Sequence, residues 1–154
     1  MKWYFKCLKQ YVDFSGRARR KEYWMFYLFN LIVFYVLFIV DYLIGTKIPY
    51  NGTMIGIISS VYSLAVFLPG LAVTVRRLHD IGKSGWKIFW ISLFTIVGAI
   101  IGSIVGAILL IYHPVIGAIL SIIFTVIVPI IFIVWMCKNS QPGDNKWGAN
   151  PKMA

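Results

Sequence analysis

The chain has 154 residues, of which 60% are hydrophobic and only 13% are charged, and its formal net charge is +10. Soluble domains average about 25% charged residues, so this composition excludes an ordinary soluble domain and indicates a membrane protein. The positive charge does not indicate a nucleic-acid partner, because the basic residues gather at the ends of apolar stretches, where orientation in a membrane accounts for them.

The N-terminal segment, residues 1–21, is basic and precedes the first apolar stretch. Lys2, Lys6 and Lys9 recur at helical spacing, and aromatic and aliphatic residues occupy the other side of the same helix. We therefore expect an amphipathic helix that lies in the cytoplasmic interface of the membrane. Packing of its apolar side on the protein's own spans is an equal alternative.

Four apolar stretches follow, at residues 23–44, 53–75, 86–111 and 115–137. Each is long enough for a helix to cross the ~30 Å hydrocarbon core, and none alternates polar and apolar residues as barrel strands do. The sequence predicts an all-α polytopic membrane protein, with a single membrane domain over residues 1–154 and four transmembrane helices. For residues 86–137, two full spans are favoured over one span plus a re-entrant piece.

The basic residues predict the orientation of these spans. Fourteen of the fifteen Lys and Arg residues lie in residues 1–21, 76–87 and 138–154, and Lys47 is the exception. Cationic loops near a bilayer are retained on the cytoplasmic side. We expect a multi-pass protein of the bacterial inner membrane, with both termini cytoplasmic and residues 138–154 as a cytoplasmic tail.

Asp41 is the single acid in the first two apolar stretches, and it lies within a turn of the end of the first. We interpret it as an interfacial carboxylate, with a buried functional acid as the alternative.

Small residues recur every four positions in the last two stretches, at Gly98, Gly102 and Gly106 and at Gly117, Ser121 and Thr125. This spacing lets helix backbones approach closely, so it predicts a tight hairpin of the third and fourth spans.

Three polar clusters lie outside the apolar stretches. They read FSGRARRKEYW at residues 14–24, RRLHDIGKSGW at 76–86 and QPGDNKWGANP at 141–151. In this order the patterns G-R-A-R-R-x-E-Y-W, R-R-L-H-D-x-G-x-S-G-W and Q-P-G-D-N-x-x-G-x-N-P resemble the motifs of the small bacterial inner-membrane proteins known as domain of unknown function 805. The resemblance extends from Trp3 to Pro151. It implies a polytopic inner-membrane protein and no established activity. The apolar stretch between the last two motifs is longer than in shorter members, so the predicted hairpin looks like an extension.

Two interpretations of the arginines remain open. In the first, they pair with Glu22, Asp80 and Asp144 and tie the three clusters into one structural cap. In the second, cations in excess of the acids form a site for a phosphate-bearing lipid or small anion. The candidate ligand-binding residues are Arg17, Arg19, Arg20, Arg76, Arg77, His79, Asp80, Trp24 and Trp86. Structural roles are expected for Gly16, Glu22, Gly82, Gly85, Gly98, Gly102, Gly106, Gly143 and Asp144.

An enzyme is not expected. His79 and Asp80 are adjacent and Ser84 is near, but no nucleophile, base and orienting group form a recognisable set, so we predict no catalytic residues, metal or cofactor. Membrane lipids are the expected partners. The alternatives are a structural or regulatory partner of another membrane protein, a homo-oligomer, and a small transporter, although no intramembrane charge pair marks a transport pathway.

Overall fold

The computed structural model describes residues 2–50, 53–109, 119, 122 and 126–153. The chain is mostly helical. Its elements in order are α1 (Lys2–Lys9), α2 (Arg20–Ile44), β1 (Lys47–Tyr50), β2 (Thr53–Gly56), α3 (Ile57–Asp80), α4 (Trp86–Leu109) and α5 (Val128–Cys137). Within the described ranges, three helices are long and apolar enough to cross a membrane, namely α2, α3 and the Trp86–Ala107 part of α4.

The expectation of an all-α chain is wrong between α2 and α3. There β1 and β2 pair as an antiparallel hairpin, with Lys47 opposite Gly56 and Tyr50 opposite Thr53. Aromatic and β-branched residues favour extended backbone, and the two strands satisfy each other's backbone hydrogen bonds. The helix predicted to begin at residue 53 therefore begins at Ile57.

The third and fourth predicted spans are only partly described. α4 carries Gly98 and Gly102 in buried positions and Gly106 in a half-buried one. Gly117, Ser121, Thr125 and most of the stretch 115–127 lie outside the described residues, so the predicted hairpin stays a prediction. α5, which ends at Cys137, contains the last part of the fourth stretch.

The apolar side of α1 packs on the protein itself. Cys7 is fully buried, the ring of Tyr4 stacks on Phe26 with 5.7 Å between centroids, and the Tyr4 and Tyr62 hydroxyls are 3.1 Å apart. These contacts join α1 to α2 and α3, which supports the second of the two alternatives for this helix. Lys2 and Lys9 remain exposed.

Asp41 joins the other ends of α2 and α3. Its carboxylate is 1% exposed and accepts hydrogen bonds from the backbone N–H groups of Ile58 (3.0 Å) and Ser59 (2.8 Å) and from the Thr46 hydroxyl (2.6 Å). The first N–H groups of a helix have no intrahelical acceptor. Asp41 of α2 supplies an acceptor for the first N–H groups of α3. Neither interpretation of the sequence anticipated this structural role.

Candidate functional site

The three polar clusters meet at one end of the helices, in an assembly that we call the cap (residues 14–24, 76–86 and 141–151). Backbone hydrogen bonds hold the clusters together. The N–H of Ala18 donates to the carbonyl of Arg76 (3.0 Å), and the N–H of Gln141 donates to the carbonyl of Asp80 (2.8 Å). The N-terminal segment, the connection between α3 and α4, and the tail after α5 therefore lie on the same side of the molecule.

Asp80 is the central acid of the cap. Its carboxylate pairs with Arg17 at 3.2 Å on one oxygen and with Arg77 on the other, and all three side chains are almost fully buried. A buried ion pair needs further hydrogen bonds to offset the loss of hydration of its charges. Both arginines have such partners.

Arg17 donates to the tail. Its Nη1 donates to the carbonyl of Gly143 (2.8 Å), and its Nη2 donates to the carbonyl of Gln141 (2.7 Å). Arg17 thus joins the N-terminal segment to the tail through backbone atoms, while its Nε binds Asp80.

Arg77 donates to the end of α5. Its Nε and Nη2 lie 3.2 and 3.1 Å from the carbonyl oxygen of Met136, and Nη2 also contacts the carbonyl of Lys138. The last carbonyls of a helix have no intrahelical donor and carry the negative end of the helix dipole. Arg77 therefore places a buried cation at the C-terminus of α5 and donates hydrogen bonds to the carbonyl of Met136 there.

Arg76 and Glu22 form a second buried pair, on the side of the cap that α1 covers. Arg76 Nη2 is 3.9 Å from Glu22, and its Nη1 donates to the Gln10 side chain. Lys6 donates to Glu22 at 2.8 Å. Arg76 Nε and Nη2 are buried and make no hydrogen bond to the described residues.

Cys7 lies beside Glu22, with its sulfur 3.8 Å from the carboxylate. Burial, followed by the negative charge of Glu22, raises the pKa of the Cys7 thiol from 9.0 to about 12. The thiol is therefore neutral and unreactive at physiological pH.

His79 does not pair with Asp80 or Ser84 in a catalytic arrangement. Its ring stacks on Trp147 at 4.7 Å between centroids and 10° between planes. Its Nδ1 lies 3.2 Å from the carbonyl of Gly16, which can only accept, so this nitrogen carries the hydrogen. His79 joins all three clusters of the cap.

Two of the glycines predicted to be structural lie where an added Cβ would meet a neighbouring side chain. At Gly82, where φ is +76°, a Cβ would lie 2.7 Å from the amide of Gln141. At Gly85 a Cβ would lie 2.7 Å from Val75. Gly16 and Gly143 also have positive φ, and Asp144 accepts from the N–H of Asn150 (3.1 Å) within the tail.

The remaining candidates lie at the periphery of the cap. Arg19 lies over the ring of Trp3, 5.8 Å from its centroid. Arg20 donates to the carbonyl of Cys137 at 3.2 Å, and it lines a groove with Trp24. Trp86 is 72% exposed and lines an apolar groove of about 720 Å³ that His79 also borders.

The nine candidate ligand-binding residues thus divide into two groups. Arg17, Arg76, Arg77, Asp80 and His79 are held by protein groups inside the cap. The peripheral residues are Arg19, Arg20, Trp24 and Trp86. Sequence reasoning missed Lys6, Gln10 and Gln141. Lys6 and Gln10 contact side chains that are distant in the sequence. Gln141 is held through backbone atoms, which leave no pattern of residue types.

Comparison with known proteins agrees with the motifs. Residues 11–149 match the family described as "Protein of unknown function (DUF805)". The chain is 39% identical to the inner membrane protein YhaH of Escherichia coli K12 over 153 residues, which cover 99% of this chain and 98% of YhaH. It is 37% identical to the inner membrane protein YhaI of the same organism over 152 residues, which cover 99% and 97% of the two chains. No solved structure matches.

These alignments include the residues of the long apolar stretch before the tail. Because the family match and both relatives extend over almost the whole chain, the protein belongs to the DUF805 family of proteins of unknown function.

Proposed function

We propose that this protein is a multi-pass inner-membrane protein with both termini in the cytoplasm, and that the rim of its cap binds the headgroup of a phosphate-bearing lipid. The location follows the names of its relatives, YhaH and YhaI, which are inner membrane proteins.

An even number of crossings is supported by the positions of α4 and α5. α4 begins at Trp86, within the cap, and α5 ends at Cys137, whose carbonyl accepts from Arg20 at the start of α2. The chain thus leaves the cap after Trp86 and has returned to it by Cys137. Four full spans are the arrangement that fits this path and the length of the apolar sequence between these residues.

A cytoplasmic cap is supported by the distribution of charge. The cap and its flanking residues contain fourteen of the fifteen Lys and Arg residues, whereas Lys47 lies in β1 at the opposite ends of α2 and α3. Positive residues near a membrane favour the cytoplasmic side.

Cysteine labelling tests this orientation. In a Cys7→Ala/Cys137→Ser background, Lys47→Cys is expected to react with a membrane-impermeant maleimide in spheroplasts, and Lys146→Cys is expected to react only after permeabilisation. External labelling of Lys146→Cys would overturn the orientation.

Lipid binding is supported by one surface, which we call the Trp24 groove. Arg20, Lys21, Trp24, Met25 and Cys137 line a groove of about 370 Å³. The neighbouring Tyr23 and Phe26 are buried, whereas Trp24 is 40% exposed. Trp24 therefore faces away from the helix contacts, with two cations at the cap end of the same surface.

This combination suits a lipid with a phosphate headgroup. Tryptophan favours the depth of the headgroups, and each cation near an anionic leaflet contributes about 1 kcal/mol to binding. Arg20 donates from Nη1 to the carbonyl of Cys137 and lines the groove together with Lys21. The Trp24 groove thus combines two cations with a partly exposed tryptophan on one surface.

Native mass spectrometry of the protein released from nanodiscs tests this proposal. In discs of phosphatidylcholine with added phosphatidylglycerol, the wild-type protein is expected to retain phosphatidylglycerol selectively. Arg20→Gln/Lys21→Gln is expected to reduce that selectivity roughly 30-fold, from about 1 kcal/mol for each cation.

Lys9→Gln/Lys152→Gln is the matched control, because it removes the same charge from exposed positions outside the groove. Equal retention of phosphatidylglycerol by the two double variants contradicts a site at the Trp24 groove.

A further inference from the structure

An apolar groove lies between α3 and α4 at the end where both helices meet the cap. Leu71 and Val75 of α3 and Ile88 and Phe89 of α4 line it, and its volume is about 720 Å³. This volume lies within the ~300–1,000 Å³ range of small-molecule sites. We call it the Trp86 groove, after the exposed residue at which α4 begins. The groove therefore extends from the apolar part of the two helices to the cap.

All three clusters of the cap contribute an aromatic ring to the Trp86 groove. The rings belong to Phe14, Trp86 and Trp147. Trp147 is also stacked on His79, with 4.7 Å between the ring centroids. Because the three clusters are distant in the sequence, the groove exists only in the assembled cap. Tryptophan favours the depth of the lipid headgroups, so this end of the groove suits the head of a lipid.

The cap end of the groove offers hydrogen-bonding groups without formal charge. His79 and Ser84 line it, and none of its eleven described lining residues is a Lys, Arg, Asp or Glu. The hydrogen on His79 Nδ1 faces the carbonyl of Gly16, so Nε2 of the neutral ring is an acceptor. Ser84 Oγ accepts from the N–H of Trp86 at 3.4 Å and keeps its own hydrogen as a donor. A hydroxyl group, which both donates and accepts, matches these two partners.

Two smaller cavities adjoin the groove at Ile88. The first, of about 400 Å³, lies between α4 and α5 and shares Ile88 and Ser92 with the groove. The second, of about 310 Å³, lies among α2, α3, α4 and α5 and shares Leu71 and Ile88 with it. Both extend along the helices away from the cap, to Ile96 in the first and Val66 in the second. A space in the cap thus meets two spaces between the helices.

We propose that the Trp86 groove and these two cavities bind a neutral lipid with two acyl chains, a diacylglycerol. Its hydroxyl group lies at His79 and Ser84, and its chains pass on either side of Ile88 into the two cavities. Cavities lined by apolar groups stay dry and accept apolar molecules. The site goes beyond the Trp24 groove, whose cations suit a phosphate and whose described lining residues are all different.

The shape and the lining favour this lipid over two others. A lipid with a single tail would leave one of the two cavities unfilled, and packing against an empty space is lost. A phospholipid would bring its phosphate to a wall whose described residues include no cation, and burial of an unpaired charge is costly. A diacylglycerol has neither defect, because it combines two chains with an uncharged head.

Native mass spectrometry of the protein released from nanodiscs tests the site. Phosphatidylcholine discs carry equal small amounts of dioleoylglycerol and of two analogues. Monooleoylglycerol has one chain, and dioleoyl phosphatidate has a phosphate in place of the hydroxyl group. The wild-type protein is expected to retain dioleoylglycerol roughly tenfold above its share of the disc lipids, and to prefer it to both analogues.

Ile88→Trp is expected to reduce the retention of dioleoylglycerol roughly tenfold or more, because the larger side chain fills the junction of the three spaces. Ile104→Trp is the matched control, with the same change at an exposed position further along α4. Ser84→Ala is a second variant, which removes one hydrogen bond to the head and is expected to reduce retention roughly threefold. Ser103→Ala is its control, at another exposed position of α4. Circular dichroism checks each fold, and Ser84→Ala decides alone if Ile88→Trp does not fold.

Retention of all three added lipids in proportion to their content in the disc means non-selective filling of the groove and overturns the proposal. Preference for phosphatidate or for the one-chain lipid overturns it as well, as does equal retention by each variant and its control. The result is independent of the Trp24 groove. Arg20→Gln/Lys21→Gln is expected to leave dioleoylglycerol retention unchanged, and Ile88→Trp is expected to leave selectivity for phosphatidylglycerol unchanged.

Discussion

Arg77 of α3 binds the carbonyl oxygen of Met136 through two nitrogens of one guanidinium, Nε at 3.2 Å and Nη2 at 3.1 Å. The same guanidinium binds Asp80 through Nη1. One side chain therefore connects the central acid of the cap to the end of the last helix. Lysine cannot reproduce this arrangement, because its ammonium is a point charge without a planar fork.

We predict that Arg77→Lys releases the tail from the cap. The variant keeps the positive charge beside Asp80 but loses the planar fork whose nitrogens donate to the carbonyl of Met136. Limited trypsin digestion in nanodiscs is expected to cleave after Lys138 faster than in the wild-type protein, with Lys87→Ala as the control. An unchanged cleavage rate would show that Arg77 does not hold the tail.

Asp80→Asn is predicted to destabilise the protein far more than Asp144→Asn. The first change leaves Arg17 and Arg77 buried without a counter-charge, at a cost of about 3–5 kcal/mol. The second retains an oxygen that can accept from the N–H of Asn150 on the exposed tail. Thermal unfolding of both variants in the same detergent measures the difference, and similar midpoints would contradict the central role of Asp80.

The contact of Asp41 with the start of α3 predicts two destabilising changes. Asp41→Ala removes the acceptor of Ile58 N–H and Ser59 N–H, which we expect to cost about 2–4 kcal/mol. Gly56→Ala is expected to be similarly harmful, because the new Cβ would lie 2.6 Å from the Ser59 hydroxyl and would overlap the Asp41 carboxylate.

Denaturation in mixed micelles compares these two variants with Ser60→Ala, which removes a hydroxyl that donates to the carbonyl of Gly56. If Asp41→Ala unfolds at the same denaturant fraction as Ser60→Ala, the carboxylate does not support α3.

The two cysteines are predicted to differ in reactivity. Cys137 is exposed, whereas Cys7 is buried and has a pKa raised to about 12. A pKa three units above the ordinary value reduces the thiolate fraction of Cys7 near pH 8 roughly 1,000-fold. Burial of the sulfur slows alkylation further.

Iodoacetamide at pH 8 is therefore expected to alkylate Cys137 and to leave Cys7 unmodified until the protein is denatured, as measured by peptide mass spectrometry. Cys137→Ser provides the control that isolates Cys7. Rapid alkylation of Cys7 in the folded Cys137→Ser variant would contradict the packing of α1.

The membrane-spanning helices were predictable because each is encoded by one continuous apolar run of the sequence. Long apolar runs exceed the length needed to cross a membrane, and α2, α3 and α4 begin within a few residues of the predicted positions. The hairpin Lys47–Gly56 was missed because the first residues of β2 continue the apolar pattern of α3, and a short strand has no periodicity that separates it from a helix.

The cap was predictable in part. Opposite charges indicated that Arg17 and Arg77 could pair with Asp80, and the structure brings these residues together. Their other partners are the carbonyls of Met136, Gln141 and Gly143, and every residue has a carbonyl, so residue types cannot reveal these contacts. The position of Asp144 could not be inferred either, because its partner is a backbone N–H of the tail and not an arginine.

The contacts of Arg17 set an order for biosynthesis. Arg17 leaves the ribosome early, but its acceptors at Gln141 and Gly143 lie 124 and 126 residues further along the chain. The end of α5 that Arg77 binds is also made late. A nascent chain that stops before residue 136 consequently carries two buried-type arginines, Arg17 and Arg77, without their full set of acceptors, so the cap can be completed only after the end of α5 and the tail have been made.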